Sequence, residues 1–326
     1  MKSPLAWVQR NPRYLLAALV LTWAISWPAI KIGVTTMPPI WYACLRYLIA
    51  AFGMFGLAIT SRTMSIPPRS DWPLVAISGL FQMAAYSALT GFALTVLPPG
   101  RASVLAFSTP IWVIPLAAWW LREHPSRSEL WGSVLGLVGI LMIAAPSFHA
   151  YGGRQMLAYA MLVSAAGTWA VSIVAVRAHC FKSTALALAP WQMLVAACLL
   201  LPVAIIVEGA PPRLGIKGMV SLLYVGPIAT AFAYWAVVEV GRHLPASTIS
   251  IGLLATPALG ISISSLALGE PVGLSLISAV AVIGAGIRLA TRRSDKGAAD
   301  SSSSVDTLKK MDGCYSGQRC RKDPAL

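Results

Sequence analysis

Nine stretches of 17 to 29 residues contain no Lys, Arg, Asp or Glu: Tyr14–Ile30, Trp72–Gly100, Ala102–Leu121, Leu130–Gly153, Gln155–Val176, Ser183–Val207, Gly218–Val238, His243–Gly269 and Pro271–Ile287. A tenth, Pro38–Ser61, is broken only by Arg46. A helix needs about 20 apolar residues to cross a bilayer, and a barrel strand about half that. In hydrocarbon only helices and closed barrels satisfy their own backbone polar groups. The run lengths therefore predict an all-α integral membrane protein with ten transmembrane helices.

Composition agrees. The chain is 57% hydrophobic and 11% charged, against about 25% charged in soluble domains. Whole-chain readings as a soluble enzyme, a disordered protein or a nucleic-acid binder are excluded. MetProPro at 37–39, ProPro at 67–68, LeuProPro at 97–99, ProPro at 211–212 and LeuPro at 244–245 read as short turns between spans. Residues 1–12 form a short N-terminal segment, and 291–326, polar and without apolar periodicity, read as a disordered tail.

The net charge of +14 is explained by placement. With the N-terminus in the cytoplasm, cytoplasmic segments hold Lys2, Arg10, Arg13, Arg62, Arg69, Arg122, Arg127, Arg177, Lys182 and Arg242, together with every basic residue of the tail from Arg288. The other side holds Arg101, Arg154, Arg213 and Lys217. This is the positive-inside pattern, with both termini cytoplasmic, and no nucleic acid is implied. Cysteines at 44, 180, 198, 314 and 320 make neither a disulfide framework nor a zinc spacing, so neither metal nor cofactor is expected.

The chain repeats itself. Residues 22–31, TWAISWPAIK, match 168–177, TWAVSIVAVR, at an offset of 146. At an offset of 147, Leu97, Pro98, Ser103, Thr109, Pro110, Ile114, Leu121 and Glu123 match Leu244, Pro245, Ser250, Thr256, Pro257, Ile261, Leu268 and Glu270. Each half, 13–146 and 155–290, holds five expected spans. An odd number turns the second half upside down relative to the first, which predicts two inverted five-helix repeats around a central cavity. Such repeats suit secondary transporters, which expose one site to alternate sides. The first span, having a twin later in the chain, is expected to be retained rather than cleaved as a signal peptide.

Ten helices in two such repeats, a TrpAlaXaaSer stretch opening each, Arg46 in the second helix and a Pro-containing fourth helix closing on Glu resemble the EamA-like branch of the drug/metabolite transporter superfamily. The resemblance covers about residues 13–290. It implies export of small metabolites, often amino acids, from the bacterial inner membrane, through a cavity lined by the first, third and fourth helices of each repeat.

Candidate cavity residues are the polar and aromatic side chains inside the spans. Trp23, Ser26 and Trp27 share one helical face with Ile30, and Trp169 and Ser172 are the repeat equivalents of Trp23 and Ser26. Gln82 and Tyr86 lie on a stripe with Thr90, and Thr230, Tyr234 and Trp235 occupy the matching region of the second half. These either face a solute or join helices, where such hydrogen bonds contribute about 0.6–2 kcal/mol. Thr109-Pro110 and Thr256-Pro257 mark kinks that bind a solute or move. Pro28 is a third kink, with a role in gating or in exposing a carbonyl.

Arg46 lies eight residues into a span, about 12 Å deep, where a cation costs about 3 kcal/mol or more unless paired. It either meets a solute carboxylate or ties helices together. Lys31, Arg177, Glu123 and Glu270 fall at helix ends, as gating or snorkelling groups. Glu208 and Glu239 are also terminal, and His124, His149, His179 and His243 lie in or beside loops. With no carboxylate at mid-span, flux without an imposed pH gradient is expected.

The predicted function is a secondary exporter of small neutral or zwitterionic metabolites, amino acids foremost, working as a monomer or homodimer in the lipid bilayer. Efflux of drugs or hydrophobic cations is the alternative within this class. A membrane enzyme would need a cluster of catalytic side chains at one membrane face, and no such motif stands in the sequence.

Overall fold

The computed structural model describes residues 11–150, 153–179, 182–244 and 246–301. The predicted tail from 302 and most of the N-terminal segment lie outside the described residues. Those described form helices and no strands. They are α1 (Pro12–Thr36), α2 (Pro39–Thr60), α3 (Trp72–Val96), α4 (Pro99–Trp120), α5 (Arg127–Ala150), α6 (Gly153–Ala178), α7 (Ala185–Glu208), α8 (Ile216–His243), α9 (Ala246–Leu268) and α10 (Leu274–Ser301). Among the described residues, α1 to α4 and α6 to α8 are long and apolar enough to cross a membrane. The remaining expected spans fall on α5, α9 and α10, and the last two hold the shorter apolar stretches Ala255–Leu268 and Leu276–Leu289.

Two features follow the 147-residue offset into three dimensions. The middle of α3, Ser78–Ala85, and the middle of α8, Val225–Phe232, are π-helical, eight residues each. The packing partners also correspond: α2 lies on α7, α5 on α10, α1 on α8 and α9, and α6 on α3 and α4. One pair departs from the pattern. The fourth helix of the first half breaks at Phe107–Ser108 just before Thr109-Pro110, whereas α9 runs unbroken through Pro257.

Small residues set how closely the helices approach, since lipid supplies little hydrophobic drive between them. Ala50, Ala51, Ala189, Ala196, Ala197 and Ala204 line the α2–α7 seam with Met54 and Met193, all buried. The opposite faces present Phe52, Ile59, Leu199, Ile205 and Ile206 to the surroundings. At the α5–α10 crossing a Cβ on Gly286 would sit 2.6 Å from the Gly132 carbonyl oxygen and 2.9 Å from the Gly136 amide. Only glycine allows that contact.

Helix starts are capped from a distance. Pro38 precedes Pro39 at the start of α2, and Pro98 precedes Pro99 at the start of α4. Proline suits the first turn but has no side-chain acceptor for the orphan amides. Glu208, at the end of α7, accepts from Ile40 N (2.9 Å) and Trp41 N (2.8 Å). Glu270 accepts from Gly100 N (2.8 Å) and Arg101 N (3.2 Å). Asp71 accepts from Lys182 N (3.1 Å) and Ser183 N (2.9 Å), just ahead of α7. Burial pushes the Asp71 carboxyl up, but hydrogen bonds from Ser183, Lys182 and Ser70 together hold it below its ordinary value.

Gly286→Val should push α10 off α5. Overpacking of this kind costs about 1–3 kcal/mol, and a lowered Tm of the detergent-purified protein, with Gly284→Val near wild type because a Cβ there meets nothing, is the expected result.

Candidate functional site

The bundle encloses a cavity of about 950 Å³. The face predicted on α1 does turn inward: Trp23, Ser26, Trp27 and Ile30 all line it. Gln82, Tyr86 and Thr90 of α3, Thr109 and Pro110 of α4, Trp169 of α6, Thr230 and Tyr234 of α8, Pro257 of α9 and Arg46 of α2 line it too.

Its walls are aromatic. Trp23 and Trp169, equivalent residues of the two halves, meet edge to face with centroids 6.4 Å apart and planes at 88°. Tyr86 stands edge-on to Trp169 at 4.9 Å. Phe107, at the break in α4, lies 6.4 Å from Trp23 and 6.5 Å from Trp27. Proline at 110 and the break before it bring this ring inward, since the helix ladder is interrupted there.

The polar groups are held by specific partners. Arg46 Nε donates to Thr230 Oγ1 at 2.7 Å, and its guanidinium lies 5.1 Å from the Tyr47 ring centroid. Thr230 in turn donates to the Val225 carbonyl at 2.8 Å, five residues back along the π-helical turn. Among the described residues Arg46 has no carboxylate within ion-pair distance. Tyr47 OH and Ser87 Oγ share a 2.8 Å bond, and Tyr234 OH donates to Gln192 Oε1 at 2.9 Å. Ser26 Oγ donates to the Trp23 carbonyl and Thr109 Oγ1 to the Ala106 carbonyl, both within the local helical turn.

Three expected lining residues stand elsewhere. Ser172 is buried, its hydroxyl donating to Gln82 Oε1 (2.9 Å) with Ser78 Oγ also within reach (3.1 Å), joining α6 to α3 behind the wall. Trp235 packs on Phe232 at 5.7 Å in a cluster with α1 and α9. Thr256 is fully buried away from the cavity, and its hydroxyl finds no acceptor. Pro28 is buried inside α1, outside the lining. Phe107, Tyr47 and Met83 line the cavity without having been predicted. The rings adjoin the flagged prolines and Arg46, the available signal.

Charged residues distinguish the two ends. Glu123, His124, Glu129 and Arg177 line the mouth where α4 and α6 finish, and Arg177 pairs with Glu123 at 2.6 Å with both side chains nearly half exposed. Lys31 and Glu270 lie at the other end and outside the lining. Lys31 Nζ donates to the Leu94 and Leu97 carbonyls, and Glu270 is buried against the start of α4. Burial pushes the Glu270 carboxyl above its ordinary value, opposed by the Gly100 and Arg101 amides. Among the described residues no His, Cys, Asp and Glu cluster could hold a metal.

The EamA-like transporter family matches residues 13–145 and 156–292. A probable terminal-alkyne amino-acid exporter of Streptantibioticus cattleyicolor is 27% identical over 86% of this chain and 93% of its own length. A probable amino-acid metabolite efflux pump of Salmonella typhimurium is 24% identical over 85% and 93%. The transporter YoaV of Bacillus subtilis is 24% identical over 85% and 95%. A solved crystal structure superposes with a TM-score of 0.60 at 21% identity, covering 86% of this chain and 96% of that one, a likeness of fold alone.

The edge-to-face pair is testable by a double-mutant cycle. Trp23→Leu and Trp169→Leu should each lower thermal stability, and together should cost less than their sum by about 0.5–1.5 kcal/mol. Strict additivity would place the rings out of contact.

Proposed function

The chain belongs to the EamA-like transporter family and is a multi-pass membrane transporter, from which we propose that it exports small zwitterionic metabolites, amino acids foremost, by alternating access. The observation that carries the substrate class is Arg46. It stands in an aromatic cavity with one nitrogen held by Thr230 and no carboxylate partner among the described residues. Leaving a cation unpaired at that depth is costly, and a solute carboxylate removes the cost. The faces of Trp23, Trp27 and Trp169 suit an ammonium group or an apolar side chain. A hydrophobic cation meets Arg46 as a like charge, which disfavours the drug-efflux alternative. The names of the relatives from Streptantibioticus cattleyicolor and Salmonella typhimurium support the same reading.

The proposal extends to architecture. The halves 13–146 and 155–290 act as opposed five-span repeats. The matched π-helical segments and the corresponding packing partners support this. The protein then sits in the bacterial inner membrane with both termini cytoplasmic, following its basic residues, and functions as a monomer or homodimer. The mouth bordered by Glu123 and Arg177 faces the cytoplasm.

Purified protein in liposomes tests this. Saturable uptake of labelled leucine, competed by other amino acids and proceeding without an imposed pH gradient, is expected. Arg46→Gln should raise KM about tenfold, equivalent to about 1.4 kcal/mol, and Trp23→Ala should abolish saturable uptake. Transport of ethidium with no amino-acid flux would replace the zwitterion reading with drug efflux. Strict dependence on a proton gradient would refute uncoupled flux.

A further inference from the structure

Two acid–base pairs occupy equivalent places in the two halves. Lys31 matches Arg177 at an offset of 146, and Glu270 matches Glu123 at 147. Sequence equivalence would suggest equivalent contacts, but the structure shows two different arrangements.

At the open mouth the pair is joined, Arg177 to Glu123, at 2.6 Å and nearly half exposed. At the other end, where neither residue lines the cavity, the pair is split over one helix–turn–helix. Lys31 donates to the Leu94 and Leu97 carbonyls, where α3 ends. Glu270 accepts from the Gly100 and Arg101 amides, where α4 begins. Each charge sits on the helix end of opposite partial charge. Glu270 is 6% exposed, and the approach requires Gly100, since a Cβ there would lie 2.6 Å from Oε2.

We propose that each pair is a two-setting latch: split across helix ends it closes its mouth, and joined it leaves the mouth open. This rests on the alternating-access reading above. On that reading the end bordered by Glu123 and Arg177 is the open one and the end of Lys31 and Glu270 the closed one. Passage to the other state joins Lys31 to Glu270 and parts Arg177 from Glu123. The charges are never left bare in either setting, so the exchange avoids stranding a buried ion. Closing one mouth and opening the other therefore involves the same chemistry run in opposite directions.

Ordinary charge removal is a poor test, because it damages both settings. Gly100→Ala is selective: its methyl group obstructs the split setting and leaves Lys31 and Glu270 able to join. The double exchange Lys31→Glu with Glu270→Lys is selective in the same sense, since the swapped pair still joins but meets each helix end with the wrong sign. Ile30→Cys, on the cavity wall, reports access when a membrane-impermeant maleimide is applied to either face of oriented vesicles, measured above the labelling of the parent's own cysteines. Labelling from the Glu270 side should rise about three- to thirtyfold in both variants, the range a lost charged helix-end contact spans. Unchanged labelling from that side in Gly100→Ala, or a charge exchange that behaves as wild type, would overturn the latch. Monodispersity on gel filtration separates a shifted equilibrium from a misfolded variant. The readout needs no solute, so absent leucine flux would sink the substrate reading while these rates still decide the latch.

Discussion

A helix that starts inside a membrane protein carries unpaired amides, and lipid offers them nothing. In this chain the problem is acute because Pro38-Pro39 and Pro98-Pro99 open two helices without a capping side chain. The acceptors come from far along the chain, Glu208 for α2 and Glu270 for α4. Asp71 serves the segment ahead of α7 in the same way. Short turns, made possible by proline, thus depend on long-range carboxylates, and these bonds tie the two halves together at their ends while small residues tie them along their lengths. The scarcity of acidic residues within the spans reads differently in that light. Glu208, Glu270 and Asp71, at or beside helix ends, are committed to backbone amides.

That commitment shapes the cavity. Away from the mouth bordered by Glu123, Glu129 and Arg177, the cavity wall presents rings, hydroxyls and the Gln82 amide around the Arg46 guanidinium. Thr230 fixes the inner nitrogen of Arg46, and the π-helical carbonyl of Val225 fixes Thr230. The cation is positioned by a relay of neutral groups, so its charge stays available. On the proposed reading, a carboxylate built against it would neutralise the site before any solute arrived.

Much of this was legible in the residues. Charge-free runs located the helices, and the paired TrpAlaXaaSer stretches matched Trp23 with Trp169 in sequence, without showing that their rings meet. Facing was harder to read. In a helix that is apolar all round, periodicity says little about which side meets a cavity. Ser172 and Thr256 therefore looked like wall residues but lie behind the wall, and Trp235 turns to α1 and α9. Repeat symmetry also misleads where the copies have diverged. Thr109 closes onto the Ala106 carbonyl beside a broken helix, while Thr256 sits in an unbroken one with no acceptor. The ring of Phe107 is aimed by that break, which no spacing rule anticipates.

The π-helical segments carry a consequence for engineering and descent alike. A turn closed by i→i+5 bonds holds an additional residue compared with its α-helical neighbour, and one residue rotates everything after it by about 100°. Tyr86 and Tyr234 lie immediately downstream of the two wide turns, at 78–85 and 225–232. Trimming a single position from either segment would leave length and apolarity nearly untouched yet swing these tyrosines out of register with the interior. A deletion scan, or a comparison of descendants that ignores phase, would misjudge such a loss as harmless.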